Sequence, residues 1–522
     1  MPNIDYRRER LQLGDGAWST LHRVDIRADQ LKFEDLHPMS SYVRQQDIAR
    51  MHYARALARG ETSPQILTWT AMQTDRRASQ IFPELSLAAE DGERIIGANS
   101  FITYVLREML AGGWLQLHEY VSDTYEWKVD IPSNAPEWRA RAEAVLRWLE
   151  EAIQLDLYPN IERGSYEPRV FQRFDVKRNF LRIGRCDFIR HFVQNHERQA
   201  LFNTSHFLHE HDDLISHHSG YGDAIGLMVA ASTILRPPIY RRGALLYDGE
   251  SWRIKPLGLS DITLTLPGDI ALSADASARY RFQANPGEPV PIALYTRAGG
   301  LRRSGSPLQR TPSAPDRMEF VLVNRQILSW KRGGDLQIPQ NGFVLSLADG
   351  ALPAGIPQKI IEDAWVEYSF AESAGRIVSG IQAGPILLKD GDVCIDQAAA
   401  SEEFCASDGY SVGISPVRMD HAGYSARKAR TALGIKSDGD LLLLIVDGCE
   451  SASRTESDSA GANLPELTEL LQKAGAIDAL NLSGEGSCHL FVYGGLANTP
   501  SDRRGHPGVV FERMLPSIGI VG

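Results

Sequence analysis

The stretch that decides the fold runs Arg430-Thr431-Ala432-Leu433-Gly434, then Asp438-Gly439, then Leu441-Leu442-Leu443-Leu444-Ile445-Val446-Asp447-Gly448. A short apolar run on either side of an Asp-Gly pair is hairpin chemistry, because the turn needs left-handed backbone that Asp and Gly tolerate. Residues 464–474 then carry apolar positions at helical spacing, and a further strand follows near 479–482. A strand, a helix and a second strand in that order make an α/β unit. Working outward, 242–246, 318–322, 342–347 and 386–389 read as strands, with further Asp-Gly turns at Asp248-Gly249 and Asp390-Gly391.

The N-terminal part reads differently. Residues 41–59 place Ile48, Met51, Ala54, Ala56 and Leu57 near a helical period, and 100–110 form a second such run before Gly112-Gly113. Residues 136–155 are the clearest helix: Asn134 stands ahead as a cap, Pro136 suits the first turn, and Ala142, Val145, Leu146, Leu149, Ile153 and Leu157 form one stripe. The expectation is an α+β or mixed α/β protein, with a helical N-terminal region over 1–165 and a strand-rich α/β domain over 166–522. Residues 297–317, with Gly299-Gly300, Gly305, Pro307, Pro312 and Pro315, read as a surface loop insertion.

The chain of 522 residues has a formal net charge of −11, which argues against a generally basic nucleic-acid coat. No stretch approaches the 18 or so apolar residues of a spanning helix. The start, Met1 to Arg10, is charged and lacks an apolar signal core. Five scattered cysteines without a C-x-x-C spacing argue against a disulfide framework. These features lead us to expect a cytoplasmic protein with a small-molecule partner, no nucleic acid and no membrane.

The C-terminal motifs, in order, are Arg430-Thr431-Ala432-Leu433-Gly434, Val446-Asp447-Gly448, a helix, Asn481-Leu482-Ser483-Gly484-Glu485-Gly486-Ser487 and Pro500-Ser501-Asp502. This succession resembles the phosphodiester glycosidase family, whose pattern is R-T-A-x-G, V-D-G, a helix, N-L-D-G-G-G-S and P-S-D. Upstream, Asn203-Thr204-Ser205-His206-Phe207 stands where the family has N-G-G-F-F. Ile338 to Ser346 resembles its I-P-x-x-G-x-V-L-S strand, and Gly384-Pro385 through Asp390-Gly391 its G-G-P-x-L-x-x-D-G turn. The resemblance covers about 200–522. Two departures stand out: Ser483 occupies the family's Asp position, and Glu485 replaces a glycine.

The resemblance implies a hydrolase or glycosyl-transfer enzyme acting at the anomeric carbon of a sugar-1-phosphate diester, with no cofactor. Arg430 would meet the phosphate, Asp447 and Glu485 would supply carboxylates, and Asn203, His206, Gly384, Asn481 and Ser487 would line the sugar pocket. The residue chemistry is compatible with this. A guanidinium can hold a phosphate with two parallel bonds, and an oxocarbenium-like centre needs a carboxylate beside it. Each residue also has a plainer reading: Arg430 as an ion-pair partner, Asp447-Gly448 as a strand-end turn, Glu485 as a loop residue. The alternative function is an altered relative that binds a glycan or nucleotide sugar, or does other chemistry. A histidine cluster, His206, His209, His211, His217 and His218, matches no metal-ligand spacing, so no metal is expected.

Overall fold

The computed structural model describes residues 4–36, 115–121, 124–129, 189–193, 199–208, 222–300, 308–396, 401–403, 426–449, 458–501, 513 and 515–522. The Asp438-Gly439 hairpin stands at its centre. Strand Arg430–Lys436 pairs antiparallel with Leu441–Val446, Arg430 opposite Val446 and Ile435 opposite Leu441. On its other side it pairs with Ala476–Asn481. The sheet has seven strands, in the order Asp5–Gln12, Trp18–Ile26, Leu441–Val446, Arg430–Lys436, Ala476–Asn481, Ile386–Lys389, Asp392–Val393.

All six residues of Leu441–Val446 are buried, because both faces of the sheet are covered. Side chains alternate across a strand. Leu442, Leu444 and Val446 therefore meet Leu464, Leu467 and Leu471 of helix Leu464–Lys473. Leu441, Leu443 and Ile445 enter a second cluster with Val24, Ile26, Leu245 and Ile381. The helix is fixed at its start by a reciprocal cap. The Asn463 side chain accepts from the Glu466 amide at 2.8 Å, and the Glu466 carboxylate accepts from the Asn463 amide at 3.0 Å.

The expected helical N-terminal region is not what the described residues form. Asp5–Gln12, Trp18–Ile26 and Leu31–Asp35 are strands, and Leu115–Val121 with Thr124–Val129 is a two-stranded hairpin. The physical cause is a period of two: His22, Val24 and Ile26 are buried, whereas Arg23 and Asp25 between them point outward and bond to each other at 2.7 Å. Trp18–Ile26 pairs with Leu441–Val446, and Leu31–Asp35 pairs with Ser517–Val521. The chain's beginning is thus sewn into its C-terminal sheets. The helical patterns at 41–59, 100–110 and 136–155 lie outside the described residues, so the fold class is corrected to a strand-rich one with helices set among the sheets.

Strand Ser517–Val521 also pairs with Ala200–Asn203, which in turn pairs with Leu490–Val492. This small sheet brings the 203–208 segment beside the end of the large one. Further sheets built from 228–382 enclose a separate core that includes Phe282, Phe320 and Phe343. Within 297–317, Arg297–Gly300 form a 3-10 turn and strand Ser313–Val323 has already begun by Arg317, whose buried guanidinium donates to Ser346. Among the described residues, no helix is long and apolar enough to cross a membrane.

Candidate functional site

The ends of three adjacent strands meet at one place. Because Arg430 lies opposite Val446, the chain that leaves the sheet as Asp447-Gly448 does so beside Arg430. Gly448 is required there: a Cβ on it would stand 2.4 Å from the Ala429 nitrogen. That approach is closer than any side-chain carbon allows, so the Asp447 turn lies directly on the Lys428-Ala429 backbone. From the other side, the Glu485 amide donates to the Ala429 carbonyl at 2.8 Å. Arg430, Asp447 and Glu485 therefore share one sheet end.

Asp447 is buried and fully engaged. Its Oδ2 faces His22 Nε2 at 3.0 Å, its Oδ1 accepts from the Thr499 amide at 3.2 Å, and its own amide donates to the Thr20 carbonyl at 2.9 Å. Arg430 is also buried. Its Nε donates to the Ala462 carbonyl at 3.0 Å and its Nη2 to the Ala426 carbonyl at 3.1 Å. Burial pushes its pKa down, and the nearby Glu485 charge opposes that. Glu485 pairs with Lys428. It adopts a left-handed backbone with φ of 57°, a conformation that disfavours side chains larger than glycine.

Beneath these groups runs a polar network. Asn203 Nδ2 donates to the Ser483 carbonyl at 2.5 Å, while its Oδ1 accepts from Thr431 Oγ1 at 3.0 Å and from the His489 amide at 3.2 Å. The Gly384 carbonyl accepts from His206 Nε2 at 3.1 Å and from Asn481 Nδ2 at 3.0 Å. Ser487 Oγ lies 2.7 Å from Ser483 Oγ. Asn203 and Ser487 thus belong to one hydrogen-bonded group around Ser483, across 280 residues of sequence from Asn203, and His206, Gly384 and Asn481 to a second.

Cys488 lies within the same cluster, its sulfur 3.3 Å from Thr431 Oγ1. Burial pushes its thiol up to about 12, with Asp447 and Glu485 adding to the rise and Thr431 and Arg430 opposing it. A thiol so raised stays protonated at neutral pH and is no nucleophile.

Sequence reasoning missed two partners, His22 and Lys428. For His22 the available signal was the alternation His22-Arg23-Val24-Asp25-Ile26 after the turn residues Gly14-Asp15-Gly16, which marks a strand with an inward histidine. For Lys428 no sequence signal pointed to Glu485. Among the described residues no group of three or more His, Cys, Asp or Glu is arranged to hold a metal ion. His209, His211, His217 and His218 lie outside the described residues.

Residues 318–521 match the profile of the phosphodiester glycosidase family. The chain is 33% identical over 170 residues to N-acetylglucosamine-1-phosphodiester alpha-N-acetylglucosaminidase of Bos taurus, covering 32% of this chain and 27% of that protein. It is 30% identical over 118 residues to the Homo sapiens protein of the same name, covering 22% and 20%. The matches thus span about a quarter or less of the length of these curated relatives. Among solved structures, the catalytic domain of the zebrafish N-acetylglucosamine-1-phosphodiester alpha-N-acetylglucosaminidase, auto-inhibited by its pro-peptide, is 11% identical. It covers 99% of this chain and 82% of that chain at a TM-score of 0.35. Asn203, His206 and His22 precede the matched stretch, whereas Gly384, Arg430, Asp447, Asn481, Glu485 and Ser487 fall within it. The similarity to the phosphodiester glycosidase family is thus carried by residues 318–521, less than half of the chain.

Proposed function

We propose that the protein hydrolyses a glycosyl phosphodiester at the anomeric carbon, N-acetylglucosamine 1-phosphodiesters being the first class to test. Water would form the new bond to C1, the C1–O bond would break, and the phosphate would depart as a monoester. Such a leaving group is stable as an anion, so the site needs cations to receive it more than a strong acid to protonate it. Arg430 and Lys428 supply that positive field. Asp447 and Glu485 are the carboxylates for the oxocarbenium-like centre and for the water. The single observation that supports this reading best is the gathering of two cations and two carboxylates at the end of one sheet, over an Asn-Ser network able to bind hydroxyl groups.

A binding role without turnover is the second reading. Two features favour it: Ser483 in place of the family's Asp, and the engagement of Glu485 by Lys428. The test is incubation of the full-length protein with the methyl phosphodiester of α-N-acetylglucosamine. Release of free N-acetylglucosamine and methyl phosphate supports hydrolysis. Saturable binding of the intact diester without release supports the second reading.

A further inference from the structure

The N-terminal hairpin, which lies outside the matched family domain, reaches the site through a chain of three side chains. Tyr6 Oη stands 3.0 Å from His22 Nδ1, and His22 Nε2 stands 3.0 Å from Asp447 Oδ2. Tyr6 is half-buried. The His22 and Asp447 side chains are 0% and 3% exposed. The rings of Tyr6 and His22 are stacked 6.1 Å apart. A neutral imidazole has one donor and one acceptor nitrogen. An ionised Asp447 can only accept, so Nε2 must carry the hydrogen and Nδ1 must accept the Tyr6 hydroxyl. The three groups thus form one directional chain, tyrosine to histidine to aspartate.

Resting on the hydrolytic reading above, we infer that Tyr6 and His22 are positioning residues that lock Asp447 as an oriented, acceptor-only carboxylate at the site. The hairpin is built for this. Residues 21–26 of strand Trp18–Ile26 pair with Leu441–Val446, with Leu21 opposite Val446. The same strand also shapes the loop after Asp447. Ser19 Oγ donates to the Gly461 carbonyl at 2.7 Å, the Thr20 amide donates to Ser459 Oγ at 3.1 Å, and the Ala460 amide donates to the Trp18 carbonyl at 2.9 Å. A carboxylate held on one side by a buried imidazole and on the other by the Thr499 amide has a fixed plane. Fixing the tautomer and orientation of a His–Asp pair is worth large factors in rate where the carboxylate or the imidazole serves the reaction.

The test has two arms on the full-length chain. In the first, long-range 1H–15N spectra of 15N-histidine-labelled protein report which His22 nitrogen is protonated, with His22 assigned by its disappearance in His22→Gln. The inference requires Nε2–H with an unprotonated Nδ1, and requires Tyr6→Phe to move the Nδ1 shift. A wild-type Nδ1–H tautomer, or an Nδ1 shift indifferent to Tyr6→Phe, overturns it. In the second arm, turnover of the methyl phosphodiester of α-N-acetylglucosamine is compared across variants. His22→Ala should lower kcat by about a hundredfold with KM nearly unchanged, and His22→Gln, which keeps a donor toward Asp447, should recover about tenfold of that loss. Equal kcat in wild type, His22→Ala and Tyr6→Phe overturns the inference. A wild type that turns nothing over but shows the required tautomer upholds the locked carboxylate and refutes the hydrolytic reading alone.

Discussion

Asp447 and Glu485 are two carboxylates at one sheet end, and the fold treats them in opposite ways. Asp447 leaves a fully buried strand, rests on a turn whose glycine permits backbone contact, and has partners for both its oxygens. Glu485 sits in left-handed backbone, in a 3-10 turn, with Lys428 as its ion-pair partner. The family pattern has glycine at the second position, and glycine adopts that backbone without cost. A glutamate there is strained by about 1 kcal/mol or more. The difference teaches that Asp447 is positioned by the whole fold, whereas Glu485 is a local replacement that keeps a glycine's conformation.

The largest expected effect sharpens that contrast. Asp447→Asn preserves shape but places an amide against His22, and should lower kcat on the diester by about a thousandfold, equivalent to about 4 kcal/mol. Steady-state kinetics with a folding check by circular dichroism measures it. Next comes a third carboxylate, Glu402, which is buried without solvent contact and accepts from the Ile386 amide at 2.8 Å and the Gly243 amide at 2.5 Å. Burial raises its pKa from the ordinary 4.5 to about 7, against the pull of those amides and of Arg242. Between the two values the folded protein holds a proton that the unfolded chain has released. That stabilisation is full below pH 4.5 and is lost as pH rises to 7, by about 3 kcal/mol. Urea denaturation across that range should show the slope in wild type and not in Glu402→Gln.

Glu485→Gln should lower kcat by roughly a hundredfold while the protein stays folded. If turnover is unchanged, Glu485 is a loop residue and the site has one carboxylate, not two. The smallest effect is on stability. Glu485→Gly relieves the backbone strain but loses the half-exposed pair with Lys428, and the two nearly offset, so the urea midpoint should move by no more than about 1 kcal/mol. A loss of several kcal/mol would show that Glu485 is as deeply built into the fold as Asp447.

Much of this was legible in the sequence because it is local. The Asp438-Gly439 turn, the strands at 430–436 and 441–446 and the helix at Leu464–Lys473 follow from turn chemistry and periodicity within short windows. Of the residues read from the motif order, Arg430, Asp447 and Glu485 share one sheet end, and Asn203 and Ser487 meet around Ser483. What was not legible is long-range pairing. His22 meets Asp447 across 425 positions, and the alternation at residues 21–26 announces a strand but not its pairing with Leu441–Val446. The helical expectation failed for the same reason: patterns at 41–59 and 136–155 were extended to neighbours whose own period is two. The strain at Glu485 was hidden as well, since a glutamate in a glycine-rich run reads as a gain of charge and not as a backbone constraint.

The central claim is that the bond broken is the one at the anomeric carbon. Hydrolysis of the methyl phosphodiester of α-N-acetylglucosamine in 18O-enriched water, with both products examined by mass spectrometry, tests it most directly. Cleavage at C1 puts the label in free N-acetylglucosamine and leaves methyl phosphate unlabelled. Label found in the phosphate instead would mean attack at phosphorus, and would contradict a role for Asp447 and Glu485 at an oxocarbenium-like centre.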